Sequence, residues 1–449
     1  MVLELARPRP IWQIMFSTHH TDVGLLYLVF SLLAMFVGGA MAIALRVELF
    51  APGAQLIQDA MTYNRLFTAH GTTMIFLFLL PSAAAVGNYL VPIMVRYKDM
   101  AYPKLNAIAF WMIPPAAALV WLGMADFGWY ANPPYSVISA PAPAAEMWIF
   151  GLKVLGVSSI LSSINFVVTI LKCKHPDLSL GKVPLLAWSF LTSSIIVLAA
   201  MPTFAAALLM LLTDRLGVSG FFNPAMGGDP IAYSHLFWFT FHPEVYVLIL
   251  PAIGIVAEII TNNTRKPLWG YKAMVYSLIF IGFMSFTVYA HHMFITGMGS
   301  KVATWFMTTT MIISIPSIIF LAVMVFTLWG GSIRFSVPML FALAWIPMFG
   351  IGGLTGLPLG LAPPDIHLHD TYYVIGHFHY VVAPGSIIAL FAGIYYWFPK
   401  MTGKKLNDML GKVHFWGTLI GMNLVFGPML IQGMAGVSRR LYDGGLQYD

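Results

Sequence analysis

The chain has 449 residues, of which 59% are hydrophobic and only 9% are charged, and its mean hydropathy is +0.81. These values exclude an ordinary soluble domain, which carries more charge, and a disordered chain, which has fewer apolar residues. The net charge of +6 is explained better by membrane topology than by nucleic-acid binding. The sequence therefore predicts an all-α polytopic membrane protein, with one membrane domain over residues 1–449.

Eleven apolar stretches divide the chain, and each is long enough to cross a bilayer as a helix. We predict spans near residues 23–45, 72–95, 105–124, 147–171, 185–212, 232–260, 273–292, 305–329, 337–357, 372–399 and 410–434. A single cysteine, Cys173, follows the fourth stretch. One thiol excludes an internal disulfide and a dicopper thiolate centre, so electrons for a redox reaction must come from another subunit or a soluble carrier.

Basic residues predict which side of the membrane each loop faces, because cytoplasmic loops are enriched in lysine and arginine. With the N-terminus in the cytoplasm, sixteen of the 23 basic residues fall on the cytoplasmic side: Arg7, Arg9, Arg96, Lys98, Lys104, Lys172, Lys174, Lys182, Arg265, Lys266, Lys272, Arg334, Lys400, Lys404, Lys405 and Lys412. The odd number of spans then places Arg439 and Arg440 outside. We therefore predict a cytoplasmic N-terminus.

Six histidines lie within or at the ends of predicted spans: His70, His242, His291, His292, His377 and His379. Ionisable groups at bilayer depth are costly and usually functional. His377 and His379 point about 200° apart on a helix, so they cannot bind the same ion but can hold two different cofactors. Six imidazoles suit two axial ligands of one heme, one axial ligand of a second heme, and three ligands of a copper ion.

The segment His242-Pro243-Glu244-Val245-Tyr246 combines an imidazole, a carboxyl and a phenol within one predicted span. His242 and Tyr246 are four residues apart and share a helix face, which suits a metal ligand beside a proton and electron donor. The alternative is a kinked core helix whose polar groups hydrogen-bond to their neighbours. A buried glutamate is hard to explain in that alternative.

Two other histidine motifs also have a second interpretation. His291 and His292 are adjacent, so their side chains differ by about 100° and converge on one ion only at a helix end or distortion. Otherwise they are a pair at the membrane interface. His70 is either an axial heme ligand, with Gly71 leaving room for the flat macrocycle, or a hydrogen-bonded residue at the interface.

His369-Asp370 lies just before the tenth predicted span. A nitrogen and an oxygen ligand there suit a hard divalent ion, or Asp370 instead caps the helix before Thr371. Histidines near the ends of other spans are predicted to be structural or peripheral: His19, His20, His175 and His414.

The chain carries ordered motifs that together point to one family: Leu45-Arg46-Val47-Glu48-Leu49, Ala69-His70-Gly71-Thr72, Gly87-Asn88-Tyr89-Leu90-Val91-Pro92, Asp99-Met100-Ala101-Tyr102-Pro103, Gly156-Val157-Ser158-Ser159-Ile160, Leu211-Leu212-Thr213-Asp214-Arg215, His242-Pro243-Glu244-Val245-Tyr246, His291-His292-Met293-Phe294, His369-Asp370-Thr371-Tyr372-Tyr373 and His377-Phe378-His379-Tyr380. By these motifs the chain closely resembles subunit I of heme-copper oxidases, in the branch of the cytochrome c and quinol oxidases. The resemblance runs from about residue 20 to the end.

The resemblance implies a role for each motif residue. It assigns the low-spin heme to His70 and His379, the high-spin heme to His377, copper to His242, His291 and His292, heme propionates to Arg439 and Arg440, a heme ring substituent to Arg46, and magnesium to His369 and Asp370. Tyr246 is expected to be joined covalently to His242, and a carboxylate of subunit II to complete the magnesium site. Arg46 favours a formyl-bearing A-type heme, with B and O types as alternatives.

The resemblance also implies a function, which is the reduction of dioxygen to water coupled to proton uptake and pumping. Protons are expected to follow a route through Asp99, Asn88, Asn106, Ser158, Ser159 and Glu244. The expected partners are subunits II and III, membrane lipid, and cytochrome c, a cupredoxin or quinol as electron donor, with no nucleic acid. We expect a bacterial or archaeal cytoplasmic membrane rather than a mitochondrial inner membrane.

The sequence departs from the family pattern at two points. The family usually carries a lysine of a second proton route where Phe320 stands here, four residues after Pro316. Eleven spans are predicted, whereas the family usually has twelve. The missing lysine leaves nitric oxide reduction on the same scaffold as an alternative, although Tyr246 favours dioxygen. A heme-free transporter that uses histidine and Glu244 as a proton relay is a third interpretation.

Overall fold

Eleven long apolar helices form the body of the protein. A computed structural model describes residues 10–138 and 140–443. Within these residues the membrane-crossing helices are α1 (His20–Glu48), α2 (Ala60–Met94), α3 (Pro103–Gly123), α4 (Ala144–Lys172), α5 (Leu185–Arg215), α6 (Pro230–Thr264), α7 (Tyr271–Thr296), α8 (Ser300–Leu328), α9 (Val337–Leu359), α10 (Tyr372–Thr402) and α11 (Asp408–Met434). Each predicted span overlaps one of them, which confirms the fold class. Arg7 and Arg9, used in the topology prediction, lie outside the described residues.

Four of these helices are interrupted, and three interruptions lie beside the histidine motifs. The parts of α2 are Ala60–Thr72, a π segment at Thr73–Leu79 and Leu80–Met94; those of α10 are Tyr372–Val382, a π segment at Ala383–Ile388 and Ala389–Thr402. α3 consists of Pro103–Trp111 and Ile113–Gly123, and α7 of Tyr271–Met284 followed by a 3-10 segment at Tyr289–Thr296. Prolines account for two interruptions, because Pro114 and Pro384 lack the backbone N–H of a regular helix.

Short elements and capping side chains define the ends of the spans. The remaining helical pieces are Ile11–Met15, Tyr135–Ile138, Leu180–Lys182, Pro224–Met226 and Ala362–Leu368. Side-chain oxygens of Asp59, Asp229 and Thr371 accept backbone N–H bonds at the starts of α2, α6 and α10. Among the described residues the only β pairing is an isolated antiparallel bridge between Thr371 and Ser438.

α6 lies at the centre of the bundle and is the most buried span. It packs most extensively against α5 and also contacts α2, α7, α8, α9 and α10. A Cβ atom at Gly254 would lie 2.7 Å from the Cα atom of Leu186, so glycine permits α5 and α6 to approach closely. Large apolar side chains cover the outer faces of the peripheral spans, which suits contact with lipid. The chain is an integral membrane protein.

Candidate metal centre

Three imidazoles converge where α6 meets the 3-10 segment of α7. The rings of His242, His291 and His292 have centroid separations of 4.4–5.3 Å. The Nδ1 atom of His242 lies 3.1 Å from the Nε2 atom of His292. Among the described residues these are the only three His, Cys, Asp or Glu side chains whose ligand atoms all lie within 4.8 Å of one another. The spacing suits nitrogen ligands around one metal ion.

A local distortion allows the adjacent histidines to converge. The regular part of α7 ends at Met284, and both histidines lie in the following 3-10 segment, where Met293 has non-helical backbone angles. The Thr310 hydroxyl lies 2.8 Å from the Nδ1 atom of His291. The His292 ring stacks on Trp238 at a centroid distance of 3.9 Å. Both rings are therefore oriented by their neighbours.

Tyr246 lies beside the imidazole cluster, whereas Glu244, two residues from His242, lies on a different face of α6. The rings of His242 and Tyr246 are 5.1 Å apart, one turn from each other on α6. The Nε2 atom of His242 is buried and has no hydrogen-bond partner in the described part of the chain. Glu244 is 1% exposed, and neither carboxyl oxygen has a partner within the described ranges. A buried carboxyl without protein partners needs water or a transferable proton.

His377 lies on α10, and its ring packs against residues of α9. Its Nδ1 atom donates to the Gly352 carbonyl at 3.0 Å and lies 3.2 Å from the Thr355 hydroxyl. His377 is also within electrostatic range of His291. Gly356 leaves the space in which the ring lies, because a Cβ atom there would come 2.7 Å from the His377 Cε1 atom.

His70 and His379 lie on α2 and α10, each just before the π segment of its helix. The Nδ1 atom of His70 donates to the Gly38 carbonyl at 2.8 Å, and that of His379 to the Ile375 carbonyl at 2.9 Å. His70 lies within electrostatic range of His379, and both imidazoles lie within electrostatic range of Arg46. The structure thus brings together a pair of imidazoles separate from the three-histidine cluster.

The three histidines outside the three-histidine cluster make the same kind of hydrogen bond. Each Nδ1 atom of His70, His377 and His379 donates to a backbone carbonyl, which fixes the ring and makes Nε2 the nitrogen that can bind a metal. Histidines that bind metals usually have this arrangement. The donor set therefore fits axial ligation of iron at two separate positions. In the three-histidine cluster, the closely spaced Nδ1 atom of His242 and Nε2 atom of His292 fit a shared copper ion.

Charged residues line the end of the bundle beyond the histidines. Asp370 accepts from the Arg439 Nε atom at 2.6 Å, and the Arg439 backbone N–H donates to the Asp370 carbonyl. Burial raises the pKa of Asp370, but the nearby Arg439, His369 and Arg440 together outweigh it, with Arg439 contributing most, so this pKa lies below its ordinary value. Burial and Arg439 lower the pKa of Arg440 to about 10. Arg46 donates to the Tyr372 hydroxyl at 3.2 Å.

The predicted magnesium ligands have other partners. The Nδ1 atom of His369 lies 3.2 Å from a carboxyl oxygen of Asp365, a buried residue that the sequence analysis did not single out. Asp370 is paired with Arg439, while the cap of α10 is the Thr371 hydroxyl, which accepts from the Tyr373 N–H at 3.2 Å. The magnesium assignment stays a prediction.

The residues of the predicted proton route lie between the start of α1 and the middle of α6. Asp99 accepts from the His20 backbone N–H at 3.0 Å, and the His20 ring donates to the Asn88 carbonyl at 2.8 Å. Asn88 and Asn106 are fully buried. The side-chain oxygens of both, and the amide nitrogen of Asn106, have no partner among residues 10–138 and 140–443. Buried polar atoms of this kind need water molecules as hydrogen-bond partners.

A cavity of about 80 Å³ extends this polar path toward α6. Its lining includes the predicted Ser158 and Ser159 and further residues that sequence reasoning missed: Tyr27, Ser162, Ser163, Ser193 and Ser194. A water needs roughly 10–15 Å³ of such space, so the cavity has room for several. Two pairs of adjacent serines lie four residues apart in α4. This repeat could have indicated the cavity from the sequence, because residues i and i+4 share a helix face.

Comparison with known proteins identifies the family. The family model described as Cytochrome C and Quinol oxidase polypeptide I matches residues 22–449. The chain belongs to this family. The cytochrome c oxidase subunit 1 of Synechocystis sp. is 47% identical over 444 residues, covering 97% of this chain and 80% of that protein. The subunit 1 of Thermostichus vulcanus is 46% identical over 435 residues, covering 95% and 78%.

More distant relatives agree with this assignment. The cytochrome c oxidase polypeptide 1 of Halobacterium salinarum is 43% identical over 431 residues, covering 94% of this chain and 72% of that protein. A cryo-EM structure described as a heme-copper terminal oxidase dimer has a TM-score of 0.83 and covers 96% of this chain and 77% of its own, at 21% identity. That structure supports the fold alone. The predicted identification as subunit I of a terminal oxidase is confirmed, and the family implies heme and copper cofactors.

Proposed function

We propose that this oxidase subunit reduces dioxygen to water at a centre formed by a high-spin heme on His377 and a copper ion on His242, His291 and His292. The observation that carries the proposal is the convergence of three imidazoles beside Tyr246, within electrostatic range of His377. When bound, the heme and copper supply the redox chemistry. Nitric oxide reduction, the alternative raised by Phe320, is favoured by none of the comparisons.

The protein side chains hold the cofactors and supply protons. We assign a second, low-spin heme to His70 and His379, with Arg46 beside a ring substituent of an A-type heme, and the propionates to Arg439 and Arg440. B- and O-type hemes are the alternatives. Tyr246 is placed to give a proton from its hydroxyl at the imidazole cluster. His369 and Asp370 are proposed as ligands of a magnesium ion.

Proton supply is assigned to the path that begins at Asp99 and ends at Glu244. This assignment is supported by the serine-lined cavity and by the oxygens of Asn88, Asn106 and Glu244, which have no partner in the part of the chain that the structure describes. Water chains through such groups pass protons between the two carboxyls. We further propose that the protein pumps protons as it reduces dioxygen.

The family associates with other oxidase subunits, and the remaining assignments of partner and location are proposals. We infer that subunits II and III complete the enzyme and that the donor is cytochrome c, a cupredoxin or quinol. A cytoplasmic N-terminus agrees with the distribution of lysine and arginine. We also propose a single membrane domain in a bacterial or archaeal cytoplasmic membrane.

The proposed function is tested with the purified complex. Dithionite-reduced absorption spectra report the two hemes, and a complex without heme bands would contradict the heme assignments. Consumption of dioxygen and of nitric oxide is then measured side by side with the same electron donor. Dioxygen turnover well above nitric oxide turnover is expected, and the reverse ratio would transfer the assignment to nitric oxide reduction.

Replacing a copper ligand is expected to deplete copper selectively. We predict that His291→Ala or His292→Ala removes most of the copper and leaves both hemes bound, because two imidazoles hold the ion far less well than three. Elemental analysis of copper and iron in the purified complex measures this. One copper per complex together with normal turnover in either variant would show that these imidazoles are not ligands.

Filling the space beside His377 is expected to disturb only the high-spin heme. In Gly356→Ala the added Cβ atom would lie 2.7 Å from the His377 Cε1 atom, so the ring must shift. We predict a displaced high-spin heme band and slower carbon monoxide binding to the reduced enzyme, with an unchanged low-spin band. Gly353→Ala on the same helix is the control, because a Cβ atom there meets nothing within 4 Å in the described structure. Identical spectra for both variants would contradict the position of His377.

A further inference from the structure

Five aromatic rings form a cluster at one end of the serine-lined cavity. The cluster, called here the aromatic barrier, consists of Phe76 on α2, Trp129 in the loop after α3, Phe204 on α5, and Phe237 and Phe241 on α6. Phe241 is central to it. Its ring centroid lies 4.2 Å from that of Phe237, 4.7 Å from Phe204, 5.4 Å from Phe76 and 5.5 Å from Trp129.

The aromatic barrier meets the cavity directly, because Phe76 and Phe204 are among the residues that line it. Phe241 is 2% exposed and Phe237 is fully buried. On its far side, Trp129 and Phe237 contact Tyr130, which lies within electrostatic range of Arg440, Asp370 and Arg439. The rings therefore separate the polar cavity from the charged end of the bundle.

One face of α6 crosses the boundary between barrier and cavity. Phe237, Phe241, Glu244, Val247 and Pro251 are spaced four, three, three and four residues apart, so they share that face. The first two belong to the barrier, and the last two line the cavity. Along this face Glu244, whose carboxyl has no partner in the described residues, comes between the barrier residues and the cavity residues.

We propose that Phe241 is a positioning residue that ends the hydrated path at Glu244, so that protons leave the cavity only through this carboxyl. Packed rings leave no room for water and offer no site for a proton, whereas the serine hydroxyls and amides on the other side offer many. Without the barrier, water from the cavity would bypass Glu244 toward the charged end of the bundle. The proposal rests on the proposed function, because it assumes that protons move through this cavity.

The experiment measures passive proton permeability, which needs no turnover. The purified complex is reconstituted into liposomes that contain a pH-sensitive dye, and valinomycin sets a potassium diffusion potential. We expect Phe241→Ala to raise proton influx about tenfold, which corresponds to a barrier lower by about 1.4 kcal/mol. Phe241→Leu, which keeps the space filled with apolar atoms, should behave like the wild type.

Phe239→Ala is the matched control. Phe239 lies on the same helix but contacts Phe286 and Tyr289 instead of the aromatic barrier. Its variant should keep the wild-type influx, and an equal rise in both alanine variants would overturn the proposal, because general loosening of α6 would explain it. An unchanged influx in Phe241→Ala with both heme bands intact would overturn it as well.

Two further measurements complete the test. The double variant Phe241→Ala with Glu244→Gln should keep the raised influx, because the opened path avoids Glu244; a return to the wild-type influx would overturn the proposal. If Phe241→Ala does not assemble with heme, Phe204→Ala is used instead, because it opens the same barrier from α5. It should raise the proton influx in the same way, and an unchanged influx would overturn the proposal. Absence of dioxygen turnover in the wild type would overturn the proposed function instead, and the permeability comparison would stand.

Discussion

Loss of either imidazole of the α2–α10 pair is expected to abolish the low-spin heme signal. We predict that His70→Ala and His379→Ala each remove this band from the reduced spectrum, since each deletes one of two axial bonds. A heme held from one side loses affinity or changes its spin state. Electron transfer to the high-spin centre should then stop, so steady-state dioxygen consumption should fall to background. Much of the fold should survive, because the helices bury their apolar faces independently of the heme.

A histidine outside the site provides the control for these variants. His414 on α11 contacts Tyr395 through its Nδ1 atom at 3.1 Å and lies against Phe341 and Phe391. His414→Ala should keep both heme bands. Pyridine hemochrome analysis counts the hemes, and the reduced spectrum reports their spin states. Wild-type spectra and two hemes in both His70→Ala and His379→Ala would refute the axial pair.

The spans were predictable from sequence because bilayer thickness imposes a minimum length on any apolar helix. Their interruptions were not. The π segments after His70 and His379 change the helical register over a few residues, but the amino-acid composition of these segments resembles that of the rest of the helix. Only one of the two segments contains a proline. The convergence of His291 and His292 was predicted only on condition that the helix was distorted. The break after Met284 supplies that distortion, and it depends on packing against α6 and α8.

The polar residues of the proposed proton path were recognised unevenly in the sequence. Asp99, Asn88 and Glu244 came from motifs, but Tyr27 and the serines of α5 did not. A serine in a helix commonly bonds to its own backbone, as Ser189 does with the Leu186 carbonyl at 2.7 Å. Spacing alone does not distinguish a serine that bonds to its own helix backbone from a serine that lines a cavity. His20, predicted to be structural or peripheral, is 3% exposed, and its ring donates to the Asn88 carbonyl where the start of α1 packs against the end of α2.

The buried carboxyl of Glu244 is the side chain on which the largest loss of turnover is expected. Phe320 is fully buried on α8 at the position where the family usually has a lysine, and a phenyl ring cannot relay protons. The Asp99 to Glu244 path must then deliver most of the protons, including those consumed in making water. Glu244→Gln keeps the shape and hydrogen-bonding capacity of the side chain but cannot be ionised, so it separates proton relay from packing.

We therefore predict that Glu244→Gln slows dioxygen consumption at least about a hundredfold, within the range that removal of one positioned proton-transfer group produces. Asp99→Asn should also slow it strongly, since it acts on the same path. Glu258→Gln makes the identical change on α6, near Lys400 and outside this path, and should keep most of the turnover. Steady-state dioxygen consumption is the measurement, with dithionite reduction of both hemes as the check on cofactors. If Glu244→Gln kept more than about half of the wild-type rate, the loss would be far smaller than the loss expected for a proton relay. Protons would then reach the centre by a path that does not include this carboxyl.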